Sequence, residues 1–235
     1  MSYLVFLEGF SLIVAEQKDI NEIIRSVESF DRVVVAGCGV CVTVCMSGGE
    51  KEALRVAGFL RLYAKDTGKD ISFSVTTPHR QCDTEFLESV EPELENADCI
   101  LSMACGAGVQ FMAEKFPDKV VVPGLNTTFI GVNRELGYWT EMCQGCGSCV
   151  LEKTGGVCPV ARCSKSHFNG PCGGSGDGKC EVDDSIDCGW QLIYERMKRI
   201  GWLSKLAELE DVRDWSTSRD GGPRSIRRGD VDVRE

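Results

Sequence analysis

Eight cysteines, Cys143, Cys146, Cys149, Cys158, Cys163, Cys172, Cys180 and Cys188, crowd one glycine-rich stretch of a chain that holds 14 in all. Gly145, Gly147, Gly155, Gly156, Gly170, Gly173, Gly174, Gly176 and Gly178 are interleaved with them. Such a segment has little apolar material for a core, but its backbone can wrap closely around a metal. From Glu141 to Gly189 it shows almost no helix or strand periodicity.

The redox compartment decides how these thiols are read. The apolar start Tyr3–Leu7 is cut by Glu8 and Gly9 and lacks the basic flank and small-residue cleavage site of a signal peptide. A cytoplasmic, reducing location is therefore expected, with reduced thiols acting as metal ligands rather than as a disulfide framework. No run of about 18 apolar residues is present, so no membrane insertion is expected. A formal net charge of -10 argues against nucleic-acid binding, which needs clustered Lys and Arg.

Upstream of the cysteine-rich stretch, strand-like and helix-like patterns alternate. Strands are expected at 32–36, 71–75, 99–103 and 120–122, and helices at 19–30, 50–65 (stopped at Thr67-Gly68) and 84–91 (stopped by Pro92). This order implies an α/β fold with a Rossmann-like, doubly wound parallel sheet. The expected organisation is a Rossmann-like domain over 12–137 carrying one metal site. A loop-rich cysteine module with a C-terminal helix follows over 138–210, then a disordered polar tail over 211–235. The helix is read from Trp190, Ile193, Tyr194, Met197 and Ile200, with a short second one over 203–209.

Cys38, Cys41 and Cys45 lie where the first of these strands turns into a helix, and helical spacing puts them on one face. Cys105, in Cys105-Gly106-Ala107-Gly108, is the chosen fourth ligand, because parallel strands bring their C-terminal ends to one rim. Cys82 also follows a strand and is its rival. Cys99, inside a strand, reads as a small buried hydrophobe. Cys143-x2-Cys146-x2-Cys149 has the spacing of a 4Fe–4S half-motif, and Cys158-Pro159 is also ferredoxin-like. The Cys149–Cys158 interval departs from the compact ferredoxin run, so the fourth ligand stays open. Eight thiols suit two four-iron clusters, or one cluster and one zinc. His167 and His79 are read as packing or surface residues.

Three near-motifs fail. Gly37-x-Gly39 and Gly106-x-Gly108 lack the third glycine of a dinucleotide fingerprint, with Val42 and Phe111 in its place. Gly173-x4-Gly178-Lys179 continues into Cys180, not the Ser or Thr of a phosphate loop. A nucleotide-binding dehydrogenase is accordingly the weakest reading.

Asn169-Gly170-Pro171-Cys172-Gly173-Gly174, Gly178-Lys179-Cys180-Glu181-Val182, Asp187-Cys188-Gly189-Trp190 and Thr154-Gly155-Gly156-Val157-Cys158-Pro159 with Cys163 resemble the methylenetetrahydrofolate reductase C-terminal, cysteine-rich domain family. With the Cys38/Cys41/Cys45 turn, Cys105–Gln110 and Cys143–Cys149, the pattern over about 12–205 resembles the small iron–sulfur subunit of acetogen-type enzymes. The resemblance implies two or three 4Fe-4S clusters, or one zinc in place of a cluster, on the twelve cysteines named as ligands. It also implies a flavin-containing methylenetetrahydrofolate reductase catalytic subunit as partner, and ferredoxin or another redox module as electron donor. The chain is too short to hold a barrel of about 250 residues beside its own sheet, so no catalytic residues are expected in it. The alternative is a zinc-stabilised interaction module with no redox role.

Overall fold

The computed structural model describes residues 12–228, so the apolar Tyr3–Leu7 start lies outside the described residues. Two compact units divide between Thr140 and Glu141.

The first unit begins with β1 (Leu12–Gln17) and α1 (Ile20–Val27), whose N-terminus is capped by the Asp19 carboxylate accepting from Asn21 N. It continues with β2 (Arg32–Ala36), α2 (Cys41–Val44), α3 (Glu50–Thr67), β3 (Ser72–Thr76), α4 (Thr84–Glu88), α5 (Glu91–Leu94), β4 (Cys99–Ser102), α6 (Gly106–Lys115) and β5 (Val120–Pro123). The order β3-β2-β4-β5, parallel throughout, is doubly wound: the chain runs outward from β2 to β3, then crosses back to β4.

Alternation along the strands sorts the core into two layers. Val33, Val35, Phe73, Cys99 and Leu101 face α1 and α3, meeting Ile23, Val27, Ala57 and Leu60. Val34, Ala36 and Ile100 face the opposite side, meeting Leu87, Leu94 and Met112. Helix α3 ends as expected, with Gly68 in the left-handed region (φ 68) and Lys69 N returning to Ala64 O at 2.9 Å.

Three features depart from the sequence expectation. Pro92 does not simply stop a helix: it sits in the first turn of α5, where its missing N–H costs nothing. Cys38, Cys41 and Cys45 do not share one helical face, because α2 is a single turn that starts at Cys41 and ends in Cys45. The unit also carries an unforeseen antiparallel sheet of order β1-β6-β7, built with β6 (Leu125–Glu135) and β7 (Tyr138–Cys143). A bulge between Val14 and Ala15 bends β1 along β6.

Cys99 is fully buried in this core, as read from its strand, and burial pushes its thiol up to about 12. The folded state favours the neutral thiol, so its contribution is fully present below the ordinary thiol range, near pH 9, and is lost as pH climbs toward about 12. Cys99→Ala is expected to cost about 1–2 kcal/mol at neutral pH for the cavity left behind. It should also flatten that alkaline limb. Denaturant melts across pH check this.

The second unit has little regular structure: α7 (Pro159–Arg162), a hairpin of β8 (Lys179–Cys180) and β9 (Asp183–Asp187), α8 (Gly189–Arg199), and 3-10 turns at Leu203–Ala207 and Arg219–Gly221. Helix α7 packs on α8, and Gly189 permits the approach: a β-carbon there would stand 2.6 Å from Arg162 O. The buried hydrophobic side chains among its described residues are Val160, Ile193 and Met197. All five residues of β9 are exposed, so Asp183, Asp184 and Asp187 form a solvated face. Among the described residues no helix is long and apolar enough to cross a membrane.

Candidate metal centre

In a doubly wound sheet the crevice opens where the strand order reverses, at the C-terminal ends of the strands. Here that point lies between β2 and β4, and the loops leaving it carry thiols. Cys38 follows β2, with Cys41 and Cys45 around α2; Cys82 follows β3; Cys105 follows β4 and immediately precedes α6.

Burial dominates in raising the Cys38 thiol, and ionised Cys105 and Cys82 would raise it further. Cys45 is raised by burial, then by Cys41 and Cys105. Cys82 is raised by burial, then by Cys105 and Cys41. The expected rivals Cys105 and Cys82 are therefore both neighbours of the group. Backbone N–H groups of Gln81 and Val40 work in the opposite direction on Cys38 by donating to its sulfur.

Gln81 carries this rim and was not foreseen, since a lone glutamine gives no signal. Fully buried, it donates from Nε2 to Ala36 O and Gly37 O, both at 2.7 Å, and accepts from Ser102 Oγ at 2.6 Å. It thus ties the end of β2 to the end of β4. Gly48 closes the same loop: Cys38 N donates to its carbonyl at 2.9 Å, and a β-carbon on it would lie 1.9 Å from Met103 O. Gly48→Ala is expected to push the loop off β4, costing about 1–3 kcal/mol by overpacking. A chemical melt checks this.

In the second unit one small cavity is lined by Cys163, Cys172, Cys180 and Cys188, together with Lys165, Glu181 and Trp190. The β8–β9 hairpin and the N-terminus of α8 bring Cys180 and Cys188 together, with Cys188 N donating to Gly178 O at 2.8 Å. The Ser164 hydroxyl, 3.5 Å from Cys180 Sγ, holds that thiol below its ordinary range, helped by N–H groups of Val182 and Asp183 and the charge of Lys165. Lys165 is paired with Glu181, which also accepts from Cys172 Sγ at 3.5 Å. Trp190 Nε1 donates to His167 O at 2.8 Å, so the backbone of His167 serves packing.

The remaining thiols of this unit are Cys143, Cys146, Cys149 and Cys158. Gly145 N donates to Cys143 Sγ at 3.3 Å, and Ala161 N to Cys158 Sγ at 3.4 Å. The tail, expected to be disordered from residue 211, instead lies on this loop through residue 224. Arg213 Nη2 donates to Cys146 Sγ at 3.1 Å and Ser148 O at 2.7 Å, Thr217 Oγ1 to Cys146 O at 3.1 Å, and Arg224 Nη1 to Gly145 O at 2.7 Å. Gly147, at φ 84, allows it: a β-carbon there would stand 2.2 Å from Thr217 O.

No cysteine among the described residues is in a disulfide. Among the described residues no three His, Cys, Asp or Glu side chains converge on one point that could hold a metal ion. The donor chemistry nevertheless fits soft metal: thiols at the strand rim and lining the quartet cavity, with N–H groups already aimed at sulfur.

Residues 122–216, well under half of the chain, match the family model described as methylene-tetrahydrofolate reductase C terminal. That segment holds the eight-cysteine stretch and is similar to that domain. The rim cysteines Cys38, Cys41, Cys45 and Cys105 lie outside the match. No curated protein and no solved structure matches the chain.

Proposed function

We propose that this chain is an iron–sulfur electron-transfer subunit, working in a reducing compartment. It would deliver electrons to the flavin of a partner methylenetetrahydrofolate reductase catalytic subunit and draw them from ferredoxin or another redox module. The observation that carries this reading is the second unit, where eight free thiols accompany a buried apolar set of Val160, Ile193 and Met197. So small a core does not hold a unit of this size; small domains of this kind are stapled by metal or disulfides. The family match of 122–216 supports the choice of partner.

The cysteines divide into three ligand groups: Cys38, Cys41, Cys45 and Cys105 with Cys82 beside them; Cys143, Cys146, Cys149 and Cys158; and Cys163, Cys172, Cys180 and Cys188. Iron–sulfur clusters supply one-electron storage at potentials set by burial, net charge and hydrogen bonds to sulfur. The chain's own part is visible in its backbone. N–H groups of Gln81, Val40, Gly145 and Ala161 spread charge away from the thiolates, and burial of Cys38 and Cys45 limits access of water.

A structural zinc on Cys163, Cys172, Cys180 and Cys188 is the second reading, favoured by their single small cavity, since four thiols on tetrahedral zinc would staple the unit equally well. Anaerobic purification or reconstitution, with iron, acid-labile sulfide and zinc counted per chain, separates the two. The proposed function further requires that a co-purified flavoprotein be reduced through this chain. Colourless, iron-free protein with zinc sinks the electron-transfer reading.

A further inference from the structure

Arg213 comes from a segment whose composition reads as disordered, yet it is held more closely than any surface arginine requires. Its guanidinium carbon lies 4.9 Å from the ring centre of Phe168 and 4.6 Å from that of Trp215. The two rings meet edge to face at 5.8 Å. Nη2 is spent on Cys146 Sγ, Cys146 O and Ser148 O. Nε and Nη1 are buried with no hydrogen-bond partner among the described residues. A guanidinium is always charged, and leaving its buried N–H groups unpaired costs free energy unless an anion compensates it. Among the described residues no carboxylate hydrogen-bonds to it, and the Cys146 sulfur lies 3.1 Å from Nη2.

We infer that Arg213 is the counter-charge of the cluster proposed on Cys143, Cys146, Cys149 and Cys158, and that it raises that cluster's midpoint potential. The inference rests on the iron–sulfur reading above. A four-iron cluster on four thiolates is anionic and gains one more negative charge on reduction. A fixed cation beside one ligand sulfur stabilises the reduced form more than the oxidised form, and the flanking rings exclude the water that would screen it. Thr217 and Arg224, donating to Cys146 O and Gly145 O, lock the same segment over the loop. The segment carrying Arg213 is therefore a positioning element: it acts on the electron through the sulfur of Cys146.

The test uses the full chain, loaded anaerobically, as wild type, Arg213→Gln and Arg213→Lys. Iron and sulfide are counted, and each cluster is titrated with a titanium(III) reductant under paramagnetic-resonance detection. In Arg213→Gln one midpoint should move to more negative potential, with at least about a tenfold fall in the reduced-to-oxidised ratio at fixed potential, or about 59 mV for a one-electron couple. The other clusters should stay in place, and Arg213→Lys should lie close to wild type. An iron-replete Arg213→Gln protein with every midpoint unmoved, or an equal shift in Arg213→Lys, overturns the inference and leaves the iron–sulfur reading standing. If Arg213→Gln loses one cluster outright, its retention in Arg213→Lys upholds the role of charge, and its loss in both overturns it. Iron-free wild-type protein overturns reading and inference together.

Discussion

On the proposed metal-bound reading, stripping metal from the protein is expected to unfold residues 141–228 while the 12–140 unit stays folded. The contrast follows from what each part buries. The first unit packs two apolar layers on a parallel sheet, including Ile23, Leu60, Leu101 and Ile100 at zero exposure. The second has Val160, Ile193 and Met197, joined by short helices and a two-stranded hairpin. So few fully buried aliphatic side chains are a small core for a segment of this length, and small domains with such cores rely on metal or disulfide staples. In metal-stapled modules the binding free energy is the folding free energy, about 10–16 kcal/mol for structural zinc. Limited proteolysis after anaerobic chelation, with fragments identified by mass, gives the readout. Cleavage should spread through the loops around Gly155, Gly170 and Gly178 while the sheet-bearing fragment survives. A metal-free second unit that remains protease-resistant would refute the stapling argument.

Gln81→Leu is expected to destabilise the first unit although it keeps the bulk of the side chain. The substitution keeps bulk at a fully buried position but leaves Gly37 O and the Ser102 hydroxyl without the partner they share. Ala36 O is less exposed to the change, because Met103 N also donates to it at 2.8 Å. Two buried groups left unsatisfied cost about 2–4 kcal/mol together. The same residue's backbone N–H supports Cys38, and its amide spans the gap between the loops bearing Cys38 and Cys105. Rim-site iron should therefore fall with stability, while iron in 141–228 is unchanged. Denaturant melts paired with iron analysis check both halves; a protein as stable and as iron-rich as wild type would show that Gln81 is only a filler.

Where sequence reasoning succeeded, local pattern and tertiary environment agree. Val33–Ala36 and Cys99–Leu101 are apolar on both sides because helices cover both faces of the sheet, so they read as buried strands. Gly68 marks the end of α3 because the left-handed turn there suits glycine. The antiparallel sheet was hidden for the opposite reason: Asn126, Thr127 and Thr128 of β6 are all exposed, so no alternation marks the strand. The cysteine spacing carries the metal expectation of the sequence but not the partition of the thiols. Cys163, Cys172, Cys180 and Cys188 meet through a hairpin and a helix start, which spacing alone does not encode. Arg213 was masked by its neighbours, since a polar Arg- and Asp-rich tail carries the composition of disorder; its one legible sign is Trp215, an aromatic with no other reason to be there.

The thiols of the rim hang from the ends of three separate strands, whereas the hairpin quartet is local in the chain. As the polypeptide leaves the ribosome, Cys38, Cys41 and Cys45 emerge early but cannot be joined by Cys105 until β4 has been synthesised and has slotted beside β2. On the proposed metal-binding reading, maturation of the rim would be tied to completion of the sheet, while the hairpin thiols could capture metal as soon as that short stretch is made. Any nascent chain arrested before β4 would carry exposed, unmatched sulfur, a state that cellular iron delivery and quality control would have to tell apart from the finished domain.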